Sequence, residues 1–385
     1  MKKKYVNNLL YKLPIPIKIR LGYLKTLIDK KKRLAIKMVN KYTCRDFSQL
    51  NNKYFRNALK KYYYACAWNS SDVENFSKWL YHDKVILINK SKMNKDFPYI
   101  ICVVRNEANK LVHFFEHYNK IGQFNYIFID NGSDDNTIDI IKRYGGTIYQ
   151  CLEPFTTNRK LAWVNKVYSS LPNGVWTILL DADELLVYDG YENLSINYLL
   201  RIFDKNKINL VGAVMIDMFS TTPCNSIDYI DHYKYFQNSF HNEKSIFFNS
   251  IYGGIREREF KNSENDFGNG RAFLLKKHPV IKKNKQTLLI HCHYIFPYYR
   301  NYHSKVLFGL LHYKLFDKEL EKYSRIALNE SYGNGSAEYK SYVKKFSKKN
   351  YEDIFAPDDN TLRFEGTNSL RKISVLEDIR MLLNL

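Results

Sequence analysis

The fold is decided by the segment Trp176-Thr177-Ile178-Leu179-Leu180-Asp181-Ala182-Asp183-Glu184-Leu185-Leu186-Val187. Its first five residues form a short apolar run, which predicts a buried β-strand. The strand ends in three carboxylates, at Asp181, Asp183 and Glu184, and an apolar stretch follows them. Crowded carboxylates repel each other unless something neutralises them, so this pattern favours a ligand or cation site at the end of the strand. A turn or helix cap built from aspartates is the alternative.

Strand and helix patterns alternate from residue 98 onward. The predicted strands are Tyr99–Val104, Tyr126–Ile129, Thr147–Tyr149 and Trp176–Leu180, and the predicted helices between them are Asn109–Tyr118, Asn136–Tyr144 and Arg159–Ser170. This order predicts right-handed crossovers and a mostly parallel sheet, in an α/β fold. Beyond it, the sequence predicts strands at Leu210–Ile216 and Thr287–Tyr294 and helices at Tyr302–Lys322 and Ala337–Phe346.

Polar residues follow three of the predicted strands. They are Arg105-Asn106-Glu107, Asp130-Asn131 and Asp181-Ala182-Asp183. Ligands of open α/β sheets bind outside the carboxyl ends of the strands, so we expect these three groups to meet in one crevice.

Asp181 and Asp183 leave the same strand one residue apart. Mg²⁺ and Mn²⁺ prefer carboxylate oxygens, and such a cation bridges to a diphosphate and stabilises its charge as it departs. Carboxylates at strand ends also accept hydrogen bonds from ribose hydroxyls and from a ring N–H, which suits Glu107 and Asp130. Arg159 and Lys160 open a predicted helix and are expected to meet the diphosphate.

His291 and His293 stand at alternating positions in the predicted strand Thr287–Tyr294. Side chains two apart on a strand share a face, so Cys292 would point to the other face. One histidine would then complete a metal site beside Asp183; two hydrogen-bonded strand histidines are the alternative. The same geometry argues against a zinc site made from all three adjacent residues.

Three ordered motifs resemble a known family. They are Cys102–Glu107, Phe128–Thr137 and Trp176–Val187, which are similar to the RNE, DNGSxDxT and DADE motifs of family-2-type bacterial glycosyltransferases. The segments Leu310–Lys314 and Ala337–Tyr342 resemble the C-terminal helices of that branch. The resemblance covers about residues 98–346 and leaves residues 1–97 without a counterpart.

The resemblance implies a GT-A fold, with a nucleotide-binding mixed sheet flanked by helices. It also implies a UDP- or GDP-sugar donor and Mn²⁺ or Mg²⁺. The donor-site residues that it implies are the nucleoside contacts Arg105, Glu107 and Asp130 and the metal-site residues Asp181, Asp183 and His293, with Asp181 also beside the ribose. Residues 1–97 would be a basic helical segment, residues 98–300 the GT-A domain, and residues 301–385 a helical segment packed on it.

Members of this family generally invert the anomeric centre, which requires a carboxylate base for the acceptor hydroxyl. Glu257 follows Gly253-Gly254-Ile255-Arg256 and imperfectly resembles the Gly-Gly-x-Glu acceptor loop of GT-A enzymes. Glu257 and Asp266 are therefore the expected candidates for the base, and Asp217 is a further alternative.

Charge is concentrated in the N-terminal quarter. Residues 1–97 hold 23 Lys and Arg against 6 Asp and Glu, a net +17 of the chain's +21. Such a block attracts anionic lipid headgroups, nucleic acid or an acidic polymer, or is a solvated arm.

The scattered cysteines argue against a disulfide framework, and no apolar run reaches membrane-spanning length. We expect a cytoplasmic protein, with peripheral contact of the basic segment at the inner face of the membrane.

These observations predict an enzyme that transfers sugar from a nucleotide-sugar to a glycan or lipid-linked acceptor in bacterial surface polysaccharide synthesis, with no specific nucleic-acid partner. Two alternatives stay open. One is a nucleic-acid-binding protein driven by the basic segment, although RNP, zinc-finger and helix-turn-helix signatures are absent from the sequence. The other is a sugar-1-phosphate nucleotidyltransferase, but Arg105-Asn106-Glu107 stands where its Gly-rich loop would be.

Overall fold

The structure is a computed structural model. It describes residues 70–373, apart from 225–228, 245–248, 264, 266–270, 286, 297–305, 317–318 and 331, together with residue 376 and six positions between residues 17 and 28. Most of the segment predicted to be basic, helical and membrane-contacting lies outside the described residues, as does Asp266.

The elements are numbered here from Ser70 onward. The strands are β1 Ile86–Asn89, β2 Tyr99–Val104, β3 Asn125–Asp130, β4 Thr147–Gln150, β5 Trp176–Leu180, β6 Glu184–Val187, β7 Leu210–Phe219, β8 Tyr235–Gln237, β9 Phe240–Lys244, β10 Asn249–Gly253, β11 Lys276–Lys282, β12 Leu288–Leu289, β13 Ile295–Phe296, β14 Leu307–His312 and β15 Thr361–Arg363. The helices are α1 Ser70–His82, α2 Ala108–Ile121, α3 Thr137–Arg143, α4 Thr157–Ser170, α5 Ile196–Lys205, α6 Tyr229–His232, α7 Gly254–Phe260, α8 Leu320–Asn329, α9 Gly333–Phe346, α10 Tyr351–Ile354 and α11 Thr367–Leu370.

One large sheet forms the centre of the fold, in the order β1-β4-β3-β2-β5-β11-β7-β14-β6, with β8 beside β7 and β15 beside β8. The β4-β3-β2-β5 half is parallel, and β14 runs parallel to β7. Strands β1, β11 and β6 are antiparallel to their neighbours, so the sheet is mixed. The α/β fold and the four predicted strands between residues 99 and 180 are confirmed.

Helices cover both faces of the parallel half of the sheet. Alternate residues of each strand point to opposite faces, so neighbouring residues pack against different helices. On β2, Ile100 and Cys102 pack with the aromatic residues of α2, whereas Tyr99 and Ile101 pack with Trp163 of α4. These buried strands are apolar on both faces, as expected for parallel strands that helices cover on two sides.

The sheet continues into the region predicted to be a helix. Residues Leu307–His312 form strand β14 between β7 and β6, so the helix predicted over Tyr302–Lys322 is wrong for these residues. The same holds for Leu310–Lys314, which the resemblance implied to be helical. A run that is buried on both faces lacks the alternation that marks a strand, and its apolar spacing is easily taken for a helix. At Gly309, an added Cβ would lie 2.9 Å from the Val187 Cγ2 atom, so this position suits a residue without a side chain.

The strand predicted over Thr287–Tyr294 is interrupted. Leu288–Leu289 and Ile295–Phe296 pair with each other as a short antiparallel hairpin, and His291–His293 lie in a bend between them. The bend is held by side-chain contacts, since the His291 Nδ1 atom accepts from the His293 backbone N–H at 3.1 Å. The prediction that Cys292 faces away from the two histidines depended on a continuous strand and is therefore wrong.

Among the described residues, no helix combines the length and the apolar character that crossing a bilayer requires.

Candidate active site

The carboxyl ends of the parallel strands meet at one edge of the sheet, as predicted. Arg105, Asp130 and Asp181 follow or end the adjacent strands β2, β3 and β5. Two antiparallel strands begin at this edge, β11 with Lys276 and β6 with Glu184. Strand β14 ends there with His312. The edge therefore collects residues that are more than 200 positions apart in the sequence.

Two lysines neutralise the acidic cluster. Lys160, in the first turn of α4, donates to the Asp181 carboxylate, and Lys277 of β11 donates to Glu184 and lies 3.6 Å from the Asp181 Oδ2 atom. Thr156 caps α4 by accepting from the Arg159 N–H, which sets the start of the helix that carries Lys160. Burial by itself raises the pKa of Asp181, but Lys160 and Lys277 outweigh it and hold that pKa well below its usual value.

Asp183 faces a histidine that the sequence prediction did not assign. The His312 Nε2 atom lies 3.8 Å from the Asp183 Oδ2 atom, and the His312 Nδ1 atom lies 2.6 Å from the Asp217 Oδ1 atom. Burial alone raises the pKa of Asp183; His312 and Lys110 oppose this and lower it below its usual value. A histidine held by a carboxylate through Nδ1 presents Nε2 in a fixed direction, which is the arrangement that supports metal-ligating histidines in proteins.

A buried ion network lies behind His312. The Asp217 Oδ2 atom accepts from the Arg256 Nε at 2.8 Å, and the Arg256 Nη1 donates to the Glu338 Oε1 atom at 3.0 Å. Lys314 also donates to Glu338, at 2.8 Å. The side chains of Asp217 and Arg256 are only 1% and 4% exposed. Charges this deeply buried are tolerated only when paired, so the network fixes the positions of its members.

Asp183, Glu184 and His312 would suit a divalent cation. One potential ligand atom from each lies within 4.8 Å of the other two. Glu184 is already paired with Lys277. Asp183 and His312 are therefore the pair best placed to hold Mg²⁺ or Mn²⁺, and the carboxylate and imidazole donors fit these cations.

His293 stands in a second group instead. Its ligand atoms lie within 4.8 Å of those of His291 and Cys292, at the bend between β12 and β13. This bend borders the acidic corner, the name used here for Asp181, Asp183 and Glu184. Lys160 and Lys277 interact electrostatically with both Asp181 and Cys292. The structure thus brings Asp181 and Asp183 together as predicted, but groups His312 rather than His293 with Asp183.

The residues expected to contact the nucleoside differ in their exposure and in the partners that they already have. Arg105 is exposed. Glu107 forms ion pairs with Lys110 at 3.1 Å and with Lys322 at 3.0 Å. Asp130 is fully buried and accepts from the backbone N–H groups of Gly132 and Ser133 and from the Gln150 side chain, each at 3.0 Å. Its oxygens shape the turn after β3.

Arg159 and Glu257 are held by other charged residues. Arg159 lies 3.2 Å from the Asp83 carboxylate and 3.4 Å from the Glu153 carboxylate, so its partners lie just after α1 and in the loop before α4. Glu257, in the first turn of α7, pairs with Arg271 at 3.0 Å and accepts from the Ala272 N–H at 3.3 Å.

Two residues of the candidate site, His312 and Lys277, were not predicted from the sequence. His312 fell in a segment predicted to be helical, and Lys277 fell in a stretch with no predicted element. A signal for His312 was present, because the apolar run 306–311 stops at a histidine followed by Tyr313 and Lys314. Lys277 offered no comparable signal, because a lysine beside another lysine reads as solvated surface.

No protein-family model and no curated protein sequence matches the chain. Two crystal structures of TarS from S. aureus are similar in structure. One, at 13% identity and a TM-score of 0.25, covers 34% of this chain and 22% of the TarS chain. The other, TarS 1–349, at 10% identity and a TM-score of 0.29, covers 61% of this chain and 64% of that one. This chain thus spans less than two thirds of either TarS chain.

Proposed function

We propose that the chain is a metal-dependent glycosyltransferase that uses a nucleotide-activated sugar. The observation that carries the proposal is the meeting of Asp183 with His312 beside Asp181 and its two lysines, at the carboxyl edge of a parallel half-sheet. This edge is where α/β sheets bind nucleotides. The segments that resemble family-2 motifs begin or end along it, at Arg105-Asn106-Glu107, Asp130–Thr137 and Asp181–Glu184.

In the proposed site, Asp183 and His312 would hold the cation, and Asp181, now paired with Lys160, would lie beside it. A bound divalent cation would neutralise the charge that develops on a departing nucleoside diphosphate. Asp217 orients His312, because its carboxylate holds the Nδ1 side of the ring. His293, predicted from the sequence as a ligand of this cation, lies instead at the neighbouring bend with His291 and Cys292.

Lys160 and Lys277 supply positive charge to the diphosphate itself. Both are paired with carboxylates in the structure, so they are already positioned, and a phosphate oxygen would exchange for a carboxylate oxygen as their partner. Arg105 and Glu107 are the proposed nucleoside contacts on the next strand end, with Asp130 shaping the turn beside them. Arg159 supports this side by fixing the start of α4 against Asp83.

The acceptor hydroxyl needs a carboxylate base, for which Glu257 and Asp266 are the proposed candidates. Glu257 would have to leave its ion pair with Arg271 to take a proton. Asp217 is a poor base, because Arg256 and His312 occupy its oxygens and hold its pKa below the usual value against the effect of burial. The acceptor would be a glycan or lipid-linked glycan of a bacterial surface polysaccharide, and the transfer would invert the anomeric centre.

The proposal is tested by following nucleoside diphosphate release from UDP- and GDP-sugars in the presence of Mn²⁺. We expect turnover in the wild type and a loss of about 100-fold or more in Asp183→Asn, the scale of removing one group that stabilises developing charge. Asp204→Asn is the matched control, because Asp204 is 40% exposed and pairs with Lys282 and Trp176 at the opposite edge of the sheet. Full turnover by Asp183→Asn would refute the assignment of the site.

The same preparations separate the two other functions. A sugar-1-phosphate nucleotidyltransferase would release pyrophosphate from a nucleoside triphosphate and a sugar phosphate. A nucleic-acid-binding protein would bind random DNA or RNA in a salt-sensitive way, with Asp183→Asn equal to the wild type.

A further inference from the structure

The bend between β12 and β13 places three side chains with metal-binding atoms side by side. His291, Cys292 and His293 are consecutive, yet one potential ligand atom from each lies within 4.8 Å of the other two. This is possible because the hairpin pairing stops at Leu289 and Ile295 and leaves the intervening residues outside any strand. Cys292 is exposed, so its sulfur is accessible from solvent.

The distance between the Cys292 sulfur and a His291 ring nitrogen suits coordination of one ion by both atoms. The Cys292 Sγ atom lies 3.7 Å from the His291 Nδ1 atom. A tetrahedral zinc ion binds thiolate at about 2.3 Å and imidazole at about 2.0 Å, which places the two ligand atoms about 3.5 Å apart. Coordination through His291 Nδ1 would replace the hydrogen bond that this atom accepts from the His293 backbone N–H.

His293 is already fixed in the orientation of a ligand. Its Nδ1 atom lies 2.9 Å from the Lys276 carbonyl oxygen. A carbonyl only accepts hydrogen bonds, so Nδ1 carries the proton and the Nε2 lone pair is left for an ion. The His293 carbonyl is itself held by the His278 Nδ1 at 2.9 Å, which anchors the bend to β11.

The positive charge beside the bend is largely compensated. Lys160 and Lys277, which interact electrostatically with Cys292, are paired with the carboxylates of Asp181 and Glu184. A soft thiolate with two imidazoles selects zinc over the hard cations Mg²⁺ and Mn²⁺ that carboxylates prefer.

We propose that His291, Cys292 and His293 form a separate site for a thiophilic divalent cation, Zn²⁺, beside the acidic corner. The site has three protein ligands, so its fourth coordination position is left for water or for an oxygen of a bound ligand. It differs from the Asp183 and His312 pair in its ligand atoms and in the metal that it selects, and it does not depend on the glycosyltransferase assignment.

Cobalt substitution tests this site directly, because only a thiolate ligand gives Co²⁺ an intense near-ultraviolet charge-transfer band. Full-length protein, freed of metal with a chelator and reduced, would be titrated with Co²⁺. We expect a saturable band at one equivalent that Zn²⁺ abolishes and excess Mg²⁺ does not. We expect no band in Cys292→Ser, and His293→Gln should weaken Co²⁺ binding at least about tenfold, the scale of losing a group that tunes or holds a metal.

Two further variants keep the outcome unambiguous. Cys224→Ser, which changes a buried cysteine outside the cluster, should keep the band. Asp183→Asn should also keep it, so this site and the proposed catalytic site succeed or fail separately. A wild type without the band, or a Cys292→Ser variant that retains it, would overturn the proposal.

Discussion

Replacing Asp217 with asparagine should destabilise the protein severely. The carboxylate of Asp217 is the partner of two donors at once, Arg256 at 2.8 Å and His312 at 2.6 Å. Asparagine offers one accepting oxygen, and its amide would point N–H groups at the other donor. The Arg256 side chain is only 4% exposed, so its charge would stay buried with Glu338 as its one remaining carboxylate partner among the described residues. Breaking such a buried pair from one side costs about 3–5 kcal/mol.

That cost is measurable by urea unfolding followed by tryptophan fluorescence. With a slope of about 3 kcal/mol per molar urea, the unfolding midpoint should fall by roughly 1–1.7 M. The matched control is Asp204→Asn, whose half-exposed pair with Lys282 should contribute at most about 1 kcal/mol. The double variant D217N/R256M removes the orphaned charge and should be more stable than D217N alone. An Asp217→Asn midpoint equal to that of Asp204→Asn, or strictly additive effects in the double variant, would refute the buried ion network.

Two other perturbations test the scaffold. Burial lowers the pKa of His117 from its ordinary 6.5 to about 4, so below pH 6.5 the unfolded chain binds a proton that the folded chain does not. Stability should therefore fall as the pH drops from about 6.5 to 4, and His117→Gln should remove about 3 kcal/mol of that fall. Urea midpoints across this pH range would show the difference, and parallel pH profiles would contradict it. Gly253→Ala should cost more than about 3 kcal/mol in thermal unfolding, because φ is +118° and the new Cβ would lie 1.9 Å from the Ser239 carbonyl oxygen. Gly174→Ala, with φ +85° and open space, should cost only the backbone strain, so equal losses in the two variants would count against this packing.

The sequence was sufficient where a local pattern determines the structure. The strands from Tyr99 to Leu180 are bounded by polar residues and separated by amphipathic helices, so their order and the meeting of their carboxyl ends followed from the pattern alone. Asp181 and Asp183 were recognisable because they interrupt an apolar run.

The sequence was insufficient where a residue's role depends on a distant partner. His312 lies at the site because β14 pairs with β7 and β6. The sequence did not predict this pairing, because an apolar run that is buried on both faces has the same pattern in a strand as in a helix. Lys277 belongs to the candidate site only because it contacts Asp181 and Glu184, which are more than 90 residues away in the sequence. The bend at Cys292 arises because side chains of His291 and His293 take backbone partners, which no periodicity predicts.

The position of β14 has a consequence for how the molecule assembles. This strand lies between β7 and β6, yet it is made last of the three, about 90 residues after β7. During synthesis, β6 therefore has no strand to pair with on that side of the sheet, and Asp183 has no histidine opposite it, until residue 312 has left the ribosome. Closing such a long loop is entropically costly and slow. The insertion of β14 between β7 and β6 and the completion of the acidic corner are thus the same late event in folding.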